Sequence, residues 1–150
     1  MDLTANWVAN TYKVTLNPCL GEYGGAGVTP TEIYVTFDDI YYNNSWSTNG
    51  LPTPEKNGHT FKKWQFINSN NILTSITSST KVSTPNDHEI SAKWEINEFT
   101  LKITKTPSSS GYITVNGSKK LSTSNTFSAS YEYGSILLIE VFEKSGYKFI

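Results

Sequence analysis

The sequence predicts a mainly β protein, with α+β as the upper limit of its helical content, built from small modules in tandem. Three observations predict this fold class. Apolar and polar residues alternate over short segments, as they do in half-buried strands. Thr, Ser, Asn and aromatic residues are abundant, whereas Ala, Gln and Met, which favour helices, are few. Finally, the sequence around Trp7 recurs around Trp94.

The recurrence has a fixed period. Residues 7–16 align with residues 94–103, and the shift from Trp7 to Trp94 is 87 residues. Upstream, residues 3–7 align with 90–94 under the same shift. A further match, 58–61 with 146–149, falls at a shift of 88. A unit of this length holds its own core. We therefore expect the tail of a preceding repeat at 1–8, a complete repeat module at 9–95 and a partial second module at 96–150.

Within the complete module, alternation predicts four strands, at residues 12–16, 33–37, 61–66 and 90–94. Segments rich in Gly, Pro, Asn and Asp predict loops at 21–27, 49–54 and 85–87. The one candidate helix is 72–80, where Ile72, Leu73 and Ile76 have helical spacing, although its Ser and Thr content favours irregular structure.

The partial module shows the same alternating pattern of predicted strands separated by turns. Strands are predicted at 99–103, 112–115, 127–131 and 136–142, and Asn116-Gly117 predicts a hairpin turn that returns the chain toward Leu121. Because a closing strand is missing, an open sheet edge is expected beyond residue 96. We therefore expect either disorder or self-association through this truncated second repeat.

Residues 51–64, followed by Ala92-Lys93-Trp94, resemble the Listeria-Bacteroides repeat of internalins and other bacterial surface proteins. That family's pattern is close to L-P-x-P-x-x-x-G-Y-x-F-x-G-W and then A-x-W. In this sequence His59 replaces the usual tyrosine and Lys63 the usual glycine before the tryptophan. Residues 96–150 resemble a divergent copy. The resemblance implies a β-grasp-like fold and a non-enzymatic role as spacer, stalk or adhesion module outside the cell.

Charge and hydropathy exclude several classes of partner. Twelve cationic and 13 anionic side chains give a net charge of −1, and every cation is lysine, so we expect no nucleic-acid binding. No apolar run is long enough to cross a bilayer, so membrane association is expected only through regions outside this chain. The lone Cys19 cannot form an internal disulfide.

The sequence offers little for catalysis. The two histidines, His59 and His88, and Cys19 lie in contexts better explained by packing or turns than by a nucleophile and its base. Asp38-Asp39 lacks the spaced oxygen ligands of a calcium loop. The Gly-rich stretch at 21–27 lacks the lysine and helix of a phosphate-binding loop. We expect no enzyme, no catalytic residue, no cofactor and no metal.

Tyr41, Tyr42 and Trp46 are the candidate residues for binding a ligand or a partner. Trp46 has no counterpart in the repeat pattern, and an exposed aromatic beside Asn and Ser grips sugars or partner proteins. The alternative is a loop that folds these rings back onto the sheet. We therefore expect a spacer or adhesion module whose partners are host or matrix proteins or glycans; the alternative function is a carbohydrate-binding module of a secreted protein.

Overall fold

A computed structural model describes residues 3–19, 31–68 and 70–150. The chain divides into two compact units, Met1–Glu95 and Ile96–Ile150. All regular secondary structure in the described residues is strand, so the prediction of a mainly β protein is confirmed. No helix suited by length and hydropathy to span a bilayer occurs in the part of the chain that the structure describes.

The first unit is a five-stranded mixed sheet. Its strands are β1 (Thr11–Asn17), β2 (Glu32–Thr36), β3 (His59–Ile67), β4 (Leu73–Ser75) and β5 (His88–Ile96), the last of which ends one residue past the boundary. Their order in the sheet is β2-β1-β5-β3-β4. β1 pairs antiparallel with β2 and parallel with β5, and β3 pairs antiparallel with β4.

The core of this unit lies on one face of the sheet. Alternation explains it, because every second residue of β1 and β2 points inward: Val14, Leu16, Ile33 and Val35 are all at most 2% exposed. The strands β3 and β5 and the connecting segments complete the cluster with Trp64, Phe66, Ile90, Ala92, Tyr41, Ile76 and Val82. A single contiguous core of this kind stabilises the unit by apolar burial.

The segment 72–80 is not helical. The helix predicted at 72–80 is wrong, because Leu73–Ser75 forms β4 against β3, and the next residue, Ile76, donates its N–H to Trp64 O at 2.9 Å. Ser and Thr, which compete with helical hydrogen bonds, fill much of that segment. The loop predicted at 21–27 lies outside the described residues.

The second unit contains two smaller sheets. Its strands are β6 (Glu98–Thr104), β7 (Tyr112–Val115), β8 (Ser118–Lys120), β9 (Thr126–Glu132) and β10 (Ile139–Phe142). β6 pairs with β9, and the other sheet has the order β10-β7-β8. β6 begins and ends 87 residues after β1, which carries the sequence period into the structure.

Local sequence accounts for most of these elements. Asn116 and Gly117 have positive φ values of 50° and 72° and connect β7 to β8, as the hairpin signal predicts. The strand predicted at 136–142 is shorter, and begins at Ile139. Few residues are buried, among them Ile113, Val115 and Leu121, while many large apolar side chains are exposed, including Phe99, Ile136, Leu138, Phe149 and Ile150.

Candidate functional site

The segment 41–50 lies along the outer edge of β2, which is an edge strand of the five-stranded sheet. The N–H of Tyr34 donates to Ser45 Oγ at 2.9 Å, and the N–H of Ser45 donates to Tyr34 O at 2.9 Å. A single bridge also joins Val35 to Asn44. These bonds occupy backbone groups that would otherwise pair with another chain, so the segment shields the edge.

Asn44 fixes the shape of this segment. Its Nδ2 donates to Tyr41 O and to Gly50 O, both at 2.9 Å. Its Oδ1 accepts the N–H groups of Trp46 and Ser47, both at 3.0 Å. One side chain therefore satisfies four backbone groups of the segment and holds Trp46 at a defined place beside β2.

Replacing Asn44 is expected to loosen the segment. Asn44→Ala removes all four bonds, and we expect the free energy of unfolding to fall by about 1–2 kcal/mol, because the freed backbone groups are only partly buried and regain water. Urea denaturation followed by circular dichroism measures the change. Asn49→Ala is the matched control, since Asn49 is exposed in the same segment. Equal stability of the two variants would contradict the role of Asn44.

The three predicted binding residues do not share one environment. Tyr41 is fully buried at 0% exposure, so its place in a surface platform is corrected: it is a core residue. Its ring lies 5.9 Å from that of Phe66, and its hydroxyl is 2.8 Å from His88 Nε2. Tyr42 is half-buried and packs against the core. Trp46 is 48% exposed, so only this residue of the three presents a large part of its ring to solvent.

A fourth aromatic residue, Tyr34, joins Trp46 at this edge. Tyr34 is 52% exposed and is hydrogen-bonded to Ser45, the residue before Trp46. Tyr34 was not among the predicted binding residues, although its strand pattern carried a signal: Ile33 and Val35 point inward, so the residue between them points outward. We call Tyr34 and Trp46 the aromatic edge patch.

Charged groups lie beside the aromatic edge patch. Lys13 is the partner of Tyr34 in the β1–β2 register, and its Nζ lies 3.2 Å from Glu32 Oε1. The hydrogen bond that the Lys13 ammonium group donates to Glu32 raises the pKa of Lys13, with a further contribution from the negative charge of that carboxylate. Exposed rings flanked by hydrogen-bonding groups can stack on flat polar ligands such as sugars.

The other candidates for chemistry are engaged in structural contacts. His88 Nδ1 is 2.9 Å from Asn86 O, and because a carbonyl only accepts, Nδ1 carries the proton and Nε2 accepts from Tyr41. His59 Nδ1 is 2.9 Å from Asn57 O. Across residues 3–19, 31–68 and 70–150, no group of three or more His, Cys, Asp or Glu side chains is placed to hold a metal ion.

Several open cavities are lined by residues of the second unit. One open cavity of about 200 Å³ is lined by residues of β7 and β10 and by the last residues of the chain, among them Tyr112, Phe142, Tyr147 and Phe149. Four of its 14 lining residues are aromatic, and the cavity is smaller than most small-molecule sites. A more open cavity of about 320 Å³ is lined mostly by Ser, Lys and Glu residues and lacks the apolar lining typical of a small-molecule site. The aromatic edge patch is therefore the better candidate for recognition. Comparison with family models, curated proteins and solved structures finds no match to this chain.

Proposed function

We propose that the chain is a non-catalytic repeat module of a bacterial cell-surface protein, which acts outside the cell as a spacer, stalk or adhesion module. The observation that carries the spacer role is the parallel pairing of β1 with β5. Because the first and last strands of the unit run in the same direction, the chain enters at one end of the sheet and leaves at the other. Entry and exit at opposite ends of a unit are the geometry that an extended array requires.

The register gives the size of this displacement. Asn17 is the partner of Ser91, so Glu95 lies four residues beyond Asn17 along the strand direction. Thr11, the first residue of β1, lies six residues before Asn17. At about 3.3 Å per residue, the entry and exit of the unit are roughly 33 Å apart along the sheet. Much of the length of the unit therefore separates the point where the chain enters it from the point where the chain leaves it.

The residues that carry the resemblance to the surface repeat serve to pack this unit, which supports a scaffold role. Phe61 lies between two tryptophans, with ring centroids 5.7 Å from Trp64 and 5.6 Å from Trp94. The indole N–H of Trp64 donates to Pro52 O at 2.8 Å, and that of Trp94 donates to Pro18 O at 2.8 Å. A central parallel pair flanked by hairpins is also the basis for proposing a β-grasp-like unit.

An inserted repeat tests the spacer role. Duplicating residues 9–95 between Glu95 and Ile96 recreates a junction of the same type as the one that precedes Thr11. We expect the maximum dimension in small-angle X-ray scattering to rise by about 33 Å, the entry-to-exit distance of one unit. An increase below about half that value would contradict the proposal, because it would indicate that units pack side by side. Labelling of intact source cells with an antibody to the chain tests the location.

The second candidate function is carbohydrate binding at the aromatic edge patch, which the exposure of Trp46 and Tyr34 favours. A glycan array probed with the full chain tests it. We expect binding to be lost in Trp46→Ala and in Tyr34→Ala, because ring stacking supplies most of the contact. The control is Trp7→Ala, which removes an exposed tryptophan far along the sequence. Absence of any glycan signal leaves the spacer role as the better proposal.

A further inference from the structure

Asparagine is followed by glycine at three places in the chain: Asn49-Gly50, Asn57-Gly58 and Asn116-Gly117. Such a pair carries covalent chemistry of its own, because glycine has no Cβ to keep its backbone nitrogen away from the preceding carboxamide. That nitrogen can attack the side-chain carbon Cγ and displace ammonia. The reaction requires that the nitrogen gives up its proton and that the backbone and side chain of the asparagine are free to rotate. The tertiary structure therefore decides which pair reacts.

The pair Asn49-Gly50 is held by hydrogen bonds within the segment 41–50. The N–H of Gly50 donates to Tyr42 O at 3.0 Å, so the proton that has to leave is bound to a carbonyl oxygen. The oxygen of Gly50 accepts from Asn44 Nδ2 at 2.9 Å. We expect this pair to be protected in the folded chain.

The pair Asn116-Gly117 is fixed in the hairpin between β7 and β8. Val115 and Ser118, on its two sides, are partners in the strand register. The N–H of Asn116 donates to Leu138 O at 2.8 Å, and its Oδ1 accepts the N–H of Leu138 at 2.9 Å. Both the backbone and the carboxamide of Asn116 are thus held in place. We expect this pair to be protected as well.

The pair Asn57-Gly58 lies in the turn that leads into β3 and lacks such restraints. The turn is closed by the N–H of His59, which donates to Lys56 O at 3.0 Å, and Gly58 has a φ of 70°. Asn57 is exposed. In the part of the chain that the structure describes, no hydrogen bond joins the Asn57 carboxamide or the Gly58 N–H to another residue. The attacking nitrogen and the carboxamide are therefore both available.

His59 directs a hydrogen-bond donor at the reacting peptide. Its Nδ1 lies 2.9 Å from Asn57 O, and because a carbonyl oxygen only accepts, Nδ1 carries the proton and donates it to that oxygen. Asn57 O and Gly58 N belong to the same peptide group. When the N–H loses its proton, resonance shares the negative charge with this oxygen. The His59 donor therefore stabilises the charge as it develops, as the donors of an oxyanion hole do.

We propose that Asn57 is a site of spontaneous deamidation, in which Gly58 N is the nucleophile and His59 stabilises the amidate. The proton of Gly58 N passes to hydroxide or water, and the nitrogen forms a bond to Asn57 Cγ. The Cγ–Nδ2 bond breaks, and Nδ2 leaves as ammonia. One water molecule then opens the resulting cyclic imide and leaves aspartate or isoaspartate at position 57. One amide and one water are thus exchanged for one carboxylic acid and one ammonia, with no change of oxidation state.

The product alters the entry to β3. A carboxylate replaces a neutral amide next to Lys56, and isoaspartate adds an atom to the main chain between residues 57 and 58. β3 begins at His59, and Phe61, which contacts Trp64 and Trp94, follows two residues later. The modification therefore acts on the turn that precedes this cluster of rings. It does not depend on the spacer role.

Timed incubation of the folded chain at neutral pH, followed by peptide mass spectrometry, tests the site. All three pairs are measured in the same molecule, so Asn49 and Asn116 are internal controls. We expect Asn57 to convert about fivefold faster than either of them, because only this pair is unrestrained and has a donor at the amidate oxygen. In the urea-unfolded chain we expect similar rates at the three pairs. Conversion at Asn49 or Asn116 that equals or exceeds conversion at Asn57 in the folded chain would overturn the proposal.

His59→Phe tests the part assigned to the histidine, because it keeps a ring and removes the donor. We expect conversion at Asn57 to slow about fivefold, less than for a donor in a closed active site, since this turn is open to water. The rates at Asn49 and Asn116 should not change, and circular dichroism verifies that the variant is folded. His59→Ala repeats the measurement with a smaller side chain. Unchanged conversion at Asn57 in a folded variant would refute the role of His59.

Discussion

Trp64→Ala is expected to destabilise the first unit by about 3–5 kcal/mol, the range found when large aromatic side chains are removed from cores. Trp64 is 3% exposed, stacks edge-on against Phe61 and donates its indole N–H to Pro52 O. The variant thus leaves a cavity and an unpaired carbonyl at once. The free energy of unfolding of a small domain is only a few kcal/mol larger than this loss or comparable with it, so a sizeable unfolded population is expected at room temperature. Urea denaturation followed by circular dichroism measures the loss.

The matched control for this prediction is Trp46→Ala. It removes the same side chain, but from a position that is 48% exposed. We expect the free energy of unfolding to change by no more than about 0.5 kcal/mol, as for most surface substitutions. A comparable loss in both variants would show that Trp46 is packed in solution and would remove the aromatic edge patch as a recognition surface.

The second large effect is a fall in stability at alkaline pH that depends on Tyr41. Burial raises the pKa of Tyr41 to about 12 in the folded state, whereas a tyrosine in an unfolded chain titrates near 10. Between these values the unfolded chain has released the proton and the folded chain has kept it. The contribution of Tyr41 is therefore fully present below pH ~10 and is lost as pH rises toward ~12.

A pair of variants isolates this effect from the titration of lysines in the same range. Tyr41→Phe removes the titrating hydroxyl, so its unfolding free energy should decline less steeply above pH ~10 than that of the unaltered chain. At neutral pH the variant is expected to lose about 1 kcal/mol, because His88 Nε2 loses its hydrogen-bond donor. Tyr34→Phe, at an exposed position, should follow the unaltered chain. Parallel alkaline profiles for all three proteins would contradict the buried position of Tyr41.

Local sequence predicted the strands of both units well, for a physical reason. Alternation reports which residues of a strand face inward, and it requires no knowledge of the partner strand. It placed Val14 and Leu16 in the core, and the Asn116-Gly117 pair located a hairpin turn from its tolerance of positive φ. The short strand β4 and the failed helix at 72–80 show the limit, because three residues of strand exist only through pairing with β3.

The candidate site could be predicted only in part. Its segment was recognised from Tyr41, Tyr42 and Trp46, but the sequence treats the three rings alike. Tyr41 is buried because Phe66 and His88, which are distant in sequence, form its pocket. Trp46 stays at the surface because Asn44 fixes the backbone around it. Tyr34 enters the site through its bonds to Ser45 across the edge of β2.

The sequence by itself determined that this is a mainly β chain, where most of its strands lie, and that Leu3–Trp7 and Ile90–Trp94 are versions of one strand sequence. These properties follow from short-range alternation and from comparison of the chain with itself. Only the tertiary structure decided the order of the strands, the parallel pairing of β1 with β5 and which version is buried. Pairing and burial depend on contacts between residues far apart in the chain, and local patterns do not encode which partner is available.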